Sequence, residues 1–274
     1  MMLRLPLVSV TPIVVLLQVL GNHLATSAEP RTDTALPVLL ATRGKLILDD
    51  DGSKDRGGKT TSTFDSGVKV RAGAGTWNRV DNSNIWRSTW NRRGHVPVTA
   101  YQGITSNNLV IEVTFRYGSI TEDWQHQCFR IAVDQRPKIV GHVVSAWANP
   151  NNDFIESGFL LQHIRKTPTK EIIEDLLLDH QPLKIKAEKW YTAILEVVDD
   201  EALFRMDNHI AYAQAEEISL PKNLVSLTMG STWHEIKRVR IWEAAANPDW
   251  KQQKTQVLKP RLSFSPQIHN YQPQ

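Results

Sequence analysis

The sequence predicts an all-β fold: a two-sheet antiparallel sandwich with a short C-terminal helix. Three observations carry this. Apolar and polar residues alternate with period two through segment after segment, as in half-buried strands. Two tight turns, Asp199-Asp200 and Asp207-Asn208, join three short runs into a meander. Helical periodicity is scarce before the C-terminal region.

The first 28 residues read as a targeting segment. Met1 to Arg4 give a positive start, Leu5 to Leu20 are almost entirely apolar, and Leu24-Ala25-Thr26-Ser27-Ala28 ends in small residues suited to a signal peptidase. Pro6 and Pro12 interrupt the run, which falls short of the roughly 20 residues a membrane span needs. The expected division is a signal peptide over 1–28, a linker over 29–43, the β domain over 44–250 and a solvated basic tail over 251–274. The protein is expected to be secreted or periplasmic, with no transmembrane anchor after cleavage.

Composition narrows the class further. The chain has 274 residues, 41% of them hydrophobic and 22% charged, which excludes wholesale disorder. A single cysteine, Cys128, can close no intramolecular disulfide and build no Cys-based zinc site. Lys251, Lys254, Lys259 and Arg261 follow Trp250 without an acid among them, so the body before them is slightly acidic. A nucleic-acid binder spreads a basic face over its folded body, and no nucleic-acid partner is expected.

The strands follow in order. Lys45 to Leu48, Thr76 to Val80, Ile85 to Trp90 and Val98 to Ile104 are β-like, whereas Asp49 to Thr63 is polar and reads as a loop. In Asn108 to Tyr117, Leu109, Ile111, Val113 and Phe115 share one face, and Glu112, Thr114 and Arg116 the other. Cys128 to Val133 alternates likewise, with Phe129, Ile131 and Val133 inward, and Gly158 to Ile164 is another strand. Glu171 to Asp179 fits either a short helix, through Ile172, Ile173, Leu176 and Leu177, or a strand. Trp190 to Val198, Ala202 to Met206 and Ile210 to Ala213 form the meander. Leu224 to Met229 and Ile236 to Trp242 complete about a dozen strands, the spacing of a sandwich. Asn247 as cap, Pro248 in the first turn and Asp249 at the positive helix end announce the helix.

The run Trp190-Tyr191-Thr192-Ala193-Ile194-Leu195-Glu196-Val197, then Phe204-Arg205-Met206-Asp207-Asn208, then Val239-Arg240-Ile241-Trp242-Glu243-Ala244 resembles the closing half of a concanavalin-A-like jelly roll. With the ending Asn247-Pro248-Asp249-Trp250, it is similar to secreted planctomycete-type domains related to the 3-keto-disaccharide hydrolase family, over Leu46 to Trp250. The resemblance implies a jelly roll that acts on, or descends from an ancestor that acted on, oxidised sugars and their glycosides. Two places depart from it. Where those hydrolases carry an acid and an Asn-Ser-Gly, this chain has Thr114 and Gln127-Cys128-Phe129.

The search for chemistry agrees with that departure. Glycoside hydrolysis needs two carboxylates, and the same-face pairs Asp49/Asp51 and Asp199/Glu201 lie in loop or turn sequence. A cross-strand pair, Glu112 with Glu196, is the remaining carboxylate candidate. His142, His163 and His234 could each serve as acid or base near neutral pH, although a hydrogen-bonded structural histidine is the plainer reading of each; His142 is taken with Glu112 and Glu196 as a catalytic candidate. His234-Glu235 lacks the second histidine of a zinc motif. Asp49-Asp50-Asp51-Gly52 has its glycine too early for a calcium loop, so no metal and no cofactor is expected. Nine tryptophans are abundant for saccharide stacking. Trp190 and Trp242, in strong strands, are expected in the core; Trp77, Trp86, Trp90, Trp124, Trp147 and Trp233, near strand ends or loops, are candidates for a ligand surface. Trp147, Trp233 and Trp124 are taken as the carbohydrate-binding candidates.

Three function classes follow. The first is an exported carbohydrate-recognising domain, weakly catalytic or not at all, with a saccharide or glycoconjugate as partner. The second is a hydrolase or lyase on a 3-keto-glycoside, and the third a structural or adhesion protein of the cell envelope. The leader reading predicts that exported protein begins near Glu29, which N-terminal sequencing checks; recovery of an intact Met1 would sink it.

Overall fold

The computed structural model describes residues 35–56, 60–90, 93–120, 126–135, 140–151, 156–167, 169 and 171–268, and in them the alternating segments become seventeen strands. The chain divides into 1–35 and 36–274. The signal reading for 1–28 and residues 29–34 of the expected linker lie outside the described residues.

In chain order the strands begin with β1 (Ala41–Asp50), β2 (Thr61–Thr63), β3 (Lys69–Ala74), β4 (Thr76–Arg79), β5 (Trp86–Thr89) and β6 (Val98–Gln102). The middle of the chain forms β7 (Leu109–Tyr117), β8 (Gln127–Asp134), β9 (Val140–Asn151), β10 (Gly158–Lys166) and β11 (Ile172–Gln181). Then come β12 (Trp190–Val198), β13 (Glu201–Met206), β14 (His209–Gln214), β15 (Leu224–Gly230), β16 (Trp233–Ala246), the helix α1 (Trp250–Leu258) and β17 (Gln267–Ile268). One sheet of eight strands runs β14-β13-β12-β7-β16-β5-β4 with β1 added beside β16, and the other, of nine, runs β17-β11-β10-β9-β8-β15-β6-β3-β2. Every strand pairing among the described residues is antiparallel, and the expected two-sheet jelly-roll sandwich is what forms. β16 is its spine. One edge pairs with β7; the other takes β5 along residues 233–236 and β1 along residues 239–246.

The inward faces make one core. Leu109, Ile111, Val113 and Phe115 of β7 join Phe129, Ile131 and Val133 of β8, all fully buried. Phe115 stacks on Phe129 with centroids 3.6 Å apart, and Phe159 on Phe204 at 4.2 Å, each pair tying one sheet to the other. Trp77 and Trp86, candidates for a ligand surface, belong to this core; Trp242 is buried beneath Arg43 and Arg240, and Trp190 is half-buried beside Arg116.

The acidic loop after β1 turns inward. Asp50 Oδ2 accepts from the Tyr101 hydroxyl at 2.8 Å and pairs with Arg56, which also donates to Tyr101 at 3.2 Å; all three are buried. Gly52 N–H closes on Asp50 Oδ1 at 2.9 Å, so the aspartate at the centre of the loop is committed to the fold.

Both ends of the domain are straps where linker and solvated tail were expected. Residues 36–43 are built in because buried carboxylates take their amides. Leu36 N–H donates to Glu112 Oε2 at 2.7 Å, while Leu39 and Ala41 donate to Glu196 Oε2 at 2.8 and 3.0 Å. At the other end Trp250 opens α1, its indole N–H and Lys254 Nζ both donating to Glu201 Oε1, at 3.1 and 2.8 Å. Asn247 accepts from Asp249 N–H at 3.0 Å, so the residue read as cap precedes a helix that starts at Trp250. Arg261 then makes a bidentate pair with Asp179, and Leu262 N–H bonds Gln181 Oε1 at 2.7 Å. Part of the tail's charge thus neutralises a buried acid.

Glu171–Asp179 resolves as strand β11. β2, β3, β9 and β17 were not expected; the first and last are two or three residues long, and β9 carries a bulge that breaks its alternation.

Two stability predictions follow from these contacts. Glu196 is fully buried, accepts two amides and pairs with Arg205 at 2.9 Å. Glu196→Gln leaves Arg205 without its countercharge and should cost on the order of 3 kcal/mol, read as a fall in melting temperature; an unchanged melt would refute it. His234 is buried against Tyr117 at 4.5 Å between centroids, and burial pushes its pKa down to about 3. It stays neutral when folded, whereas the unfolded imidazole takes up a proton near pH 6.5. Its contribution is therefore complete above that pH and falls below it by up to about 1.4 kcal/mol per pH unit. Thermal melts from neutral to mildly acidic pH should fall less steeply for His234→Phe than for the natural sequence.

Candidate functional site

A cleft of about 340 Å³ opens on the outer face of the nine-stranded sheet. Pairing register builds it. Thr228 of β15, Arg130 of β8, Trp147 of β9 and Leu160 of β10 are successive cross-strand partners, so four side chains separated in sequence stand in one row. Between β9 and β10 a bulge sets His142 opposite Ile164 and Ser145 opposite Gln162, two residues against one. That extra residue turns His142 to the same side as Trp147, and bulges recur where a sheet must re-aim a side chain.

Hydrogen bonds then fix the groups. The half-buried Trp147 donates its indole N–H to Gln162 Oε1 at 3.1 Å, and Gln162 Nε2 donates to Asp175 Oδ1 at 2.6 Å. The Arg130 guanidinium lies 4.6 Å over the Trp147 ring, a cation–π contact. It donates to Thr228 Oγ1 at 2.7 Å and to His142 Nε2 at 2.9 Å. Arginine can only donate, so His142 accepts at Nε2 and carries its proton on Nδ1, which donates to Asp134 Oδ1 at 2.6 Å. Trp90 and His126, with ring centroids 5.3 Å apart, Cys128 and Lys166 also line it. On its far side Trp147 packs against Leu160 and Leu177, which Phe264 of the C-terminal strap covers. A ligand in the cleft therefore meets the uncovered part of the indole beside a ring of donors and acceptors. A few placed polar groups in a cleft of a few hundred Å³ are what a small-molecule site requires.

The sequence candidates divide sharply. Trp147 and His142 line this cleft together. Trp124 lies outside the described residues. Trp233 stands on the other sheet: a Cβ at Gly118 would fall 2.1 Å from its ring, so the indole is seated on that glycine, with Arg87 4.4 Å above it. Glu112 and Glu196 also sit on the eight-stranded sheet, and neither lines the cleft. Glu112 is clasped by Arg240, with Nε at 3.0 Å, and by Arg43 at 3.4 Å. Both carboxylates are engaged by arginines and strap amides, Glu112 by Arg240, Arg43 and Leu36 N–H, and Glu196 by Arg205 and the Leu39 and Ala41 amides. His163, fully buried, bonds the Val143 carbonyl through Nδ1 at 3.0 Å.

Sequence reasoning missed Arg130, Gln162, Asp175 and Thr228. Three of them were visible as polar positions within expected strands; Asp175 fell in the segment left open between helix and strand. Only register shows that they share a cleft.

No protein family and no curated protein matches the sequence. Among solved structures, the chain is similar to the CBM2 module of the evolved Dit of Lactobacillus casei BL23 phage J-1, at 11% identity over 75% of this chain and 98% of that one, with a TM-score of 0.49. It is similar to the carbohydrate binding module CBM66 from Bacillus subtilis, at 10% identity over 64% and 92%, TM-score 0.41. The Ca2+/Man3GlcNAc-bound exoplasmic/lumenal domain of VIP36 shows 7% identity over 74% and 92%, TM-score 0.42.

Proposed function

We propose that this is an exported saccharide-recognising jelly-roll domain and that the cleft around Trp147 is its binding site. The observation that carries the reading is the row Thr228–Arg130–Trp147, extended by Gln162, Asp175 and His142. An indole held in place by its own hydrogen bond adjoins side chains that together offer both donors and acceptors. Sugars present the matching surface, apolar C–H groups rimmed by hydroxyls. Asp175 is the one carboxylate among the described lining residues, whereas glycosidases use a pair of them as acid and base.

One observation favours the keto-glycoside reading as the alternative. His142, oriented by Asp134, stands in the same cleft as Asp175 and Lys166. A 3-keto group acidifies the neighbouring C2 proton, so a single base and a single acid suffice for that elimination.

Calorimetric titration with a panel of neutral oligosaccharides should give micromolar to millimolar binding, on the order of −4 to −8 kcal/mol. Trp147→Ala should weaken it about tenfold or more and Trp233→Ala should leave it intact, because the second indole lies on the other sheet. Absence of heat with every glycan would overturn the binding reading. Cleavage of a 3-keto-glycoside that disappears in His142→Gln would establish the alternative.

A further inference from the structure

The outer face of the eight-stranded sheet holds an arrangement that neither the core nor the cleft uses. Trp190 of β12, Arg116 of β7, Glu235 of β16 and Arg87 of β5 are successive partners across four strands. The Glu235 side chain is 0% exposed. Arg87 donates to its Oε1 through Nε at 2.9 Å and through Nη2, and Arg116 donates to its Oε2 through Nε. One buried carboxylate thus fixes two guanidinium groups that remain 38% and 27% exposed. Arg116 gives only Nε to the pair, which leaves its two terminal nitrogens uncommitted among the described residues.

Indoles hold the forks in place. Arg87 lies 4.4 Å and Arg116 5.7 Å over Trp233, itself seated on Gly118. Arg116 is also 4.8 Å over Trp190, and Lys237 Nζ stands 5.8 Å from that ring. Arg87 and Arg116 share the single carboxylate of Glu235, which leaves a local positive charge on a body that is otherwise slightly acidic. A guanidinium fork matches the two oxygens of a carboxylate or sulfate, and here little ordering remains to be done on binding.

We propose that Arg87 and Arg116 form an oxyanion site for acidic glycans, separate from the cleft and independent of its reading. A polymer with about one charge per ring suits this small patch, whereas nucleic acid, with its dense backbone charge, calls for an extended basic face.

The test titrates the protein with a galacturonic acid hexamer, a heparin-derived hexasaccharide and neutral cellohexaose. At least one acidic hexasaccharide should bind, more weakly as salt rises, and cellohexaose should not compete for it. Binding of the uronate alone assigns the site to carboxylates, of the heparin fragment alone to sulfates, and of both to the oxyanion in general. Arg87→Lys and Arg116→Lys, each of which keeps a charge beside Glu235, should each weaken binding about tenfold with the melting temperature retained. Trp147→Ala should leave it unchanged, which separates this site from the cleft. The proposal fails if neither acidic glycan binds, if both variants bind like the natural sequence, if Trp147→Ala abolishes the binding, or if a single-stranded oligonucleotide binds more tightly than either glycan.

Discussion

A carboxylate taken out of water must be given a cation, and this structure is organised around that requirement. Asp50, Glu112, Asp179, Glu196 and Glu235 are all buried, and each is met by arginine: Arg56, Arg240 with Arg43, Arg261, Arg205, and Arg87 with Arg116. In most cases the partners come from distant parts of the chain. Glu112 draws Arg43 onto the sheet, Asp179 draws in the C-terminal strap, and Asp50 joins a loop to Tyr101 of the opposite sheet. Desolvation makes such pairs weak sources of net stability, yet losing either partner is costly. Their effect is selective: other strap placements leave a buried charge alone. The near balance of acids and bases in the composition is the trace of this pairing.

The fold was legible because half-buried strands write their burial into alternation. Asn108 to Tyr117 and Cys128 to Val133 announced both their strands and the faces that meet in the core. The failures have physical causes. In β9 a bulge shifts the alternation by one residue, so His142 and Trp147 share a side that simple counting does not assign to them. The edge strands β2 and β17 are too short to show a period. Trp77, a candidate for a ligand surface, lies in the core, because an indole near a strand end fills a core as well as it lines a cleft. Glu112 and Glu196 looked like a catalytic pair because a buried structural acid and a catalytic acid share one sequence signature: a charge at mid-strand.

The two outer faces show one construction serving different surroundings. On each, a cross-strand row places a tryptophan beside an arginine, Trp147 with Arg130 and Trp190 with Arg116. In the cleft the guanidinium is tied to a hydroxyl and an imidazole, with the Asp175 carboxylate and the Lys166 amine also in the lining. On the opposite face two guanidiniums share one carboxylate, and positive charge stays at the surface. Register supplies the row in both cases; the partner of the arginine decides its electrostatic character.

The pairing of β1 with β16 bears on how the chain reaches its folded state. Ala41 lies against Ala246, so the first strand of the domain waits for nearly the last to be synthesised. Closing so long a loop costs entropy before any contact rewards it, and folding dominated by such distant pairs is slow. While β16 is missing, β7, β5 and β1 all lack a shared neighbour, and the N-terminal strap has no finished surface to lie on. A chain of this topology cannot close its eight-stranded sheet until β16 is available, so its early strands stay unlocked while the long middle of the domain is still being made.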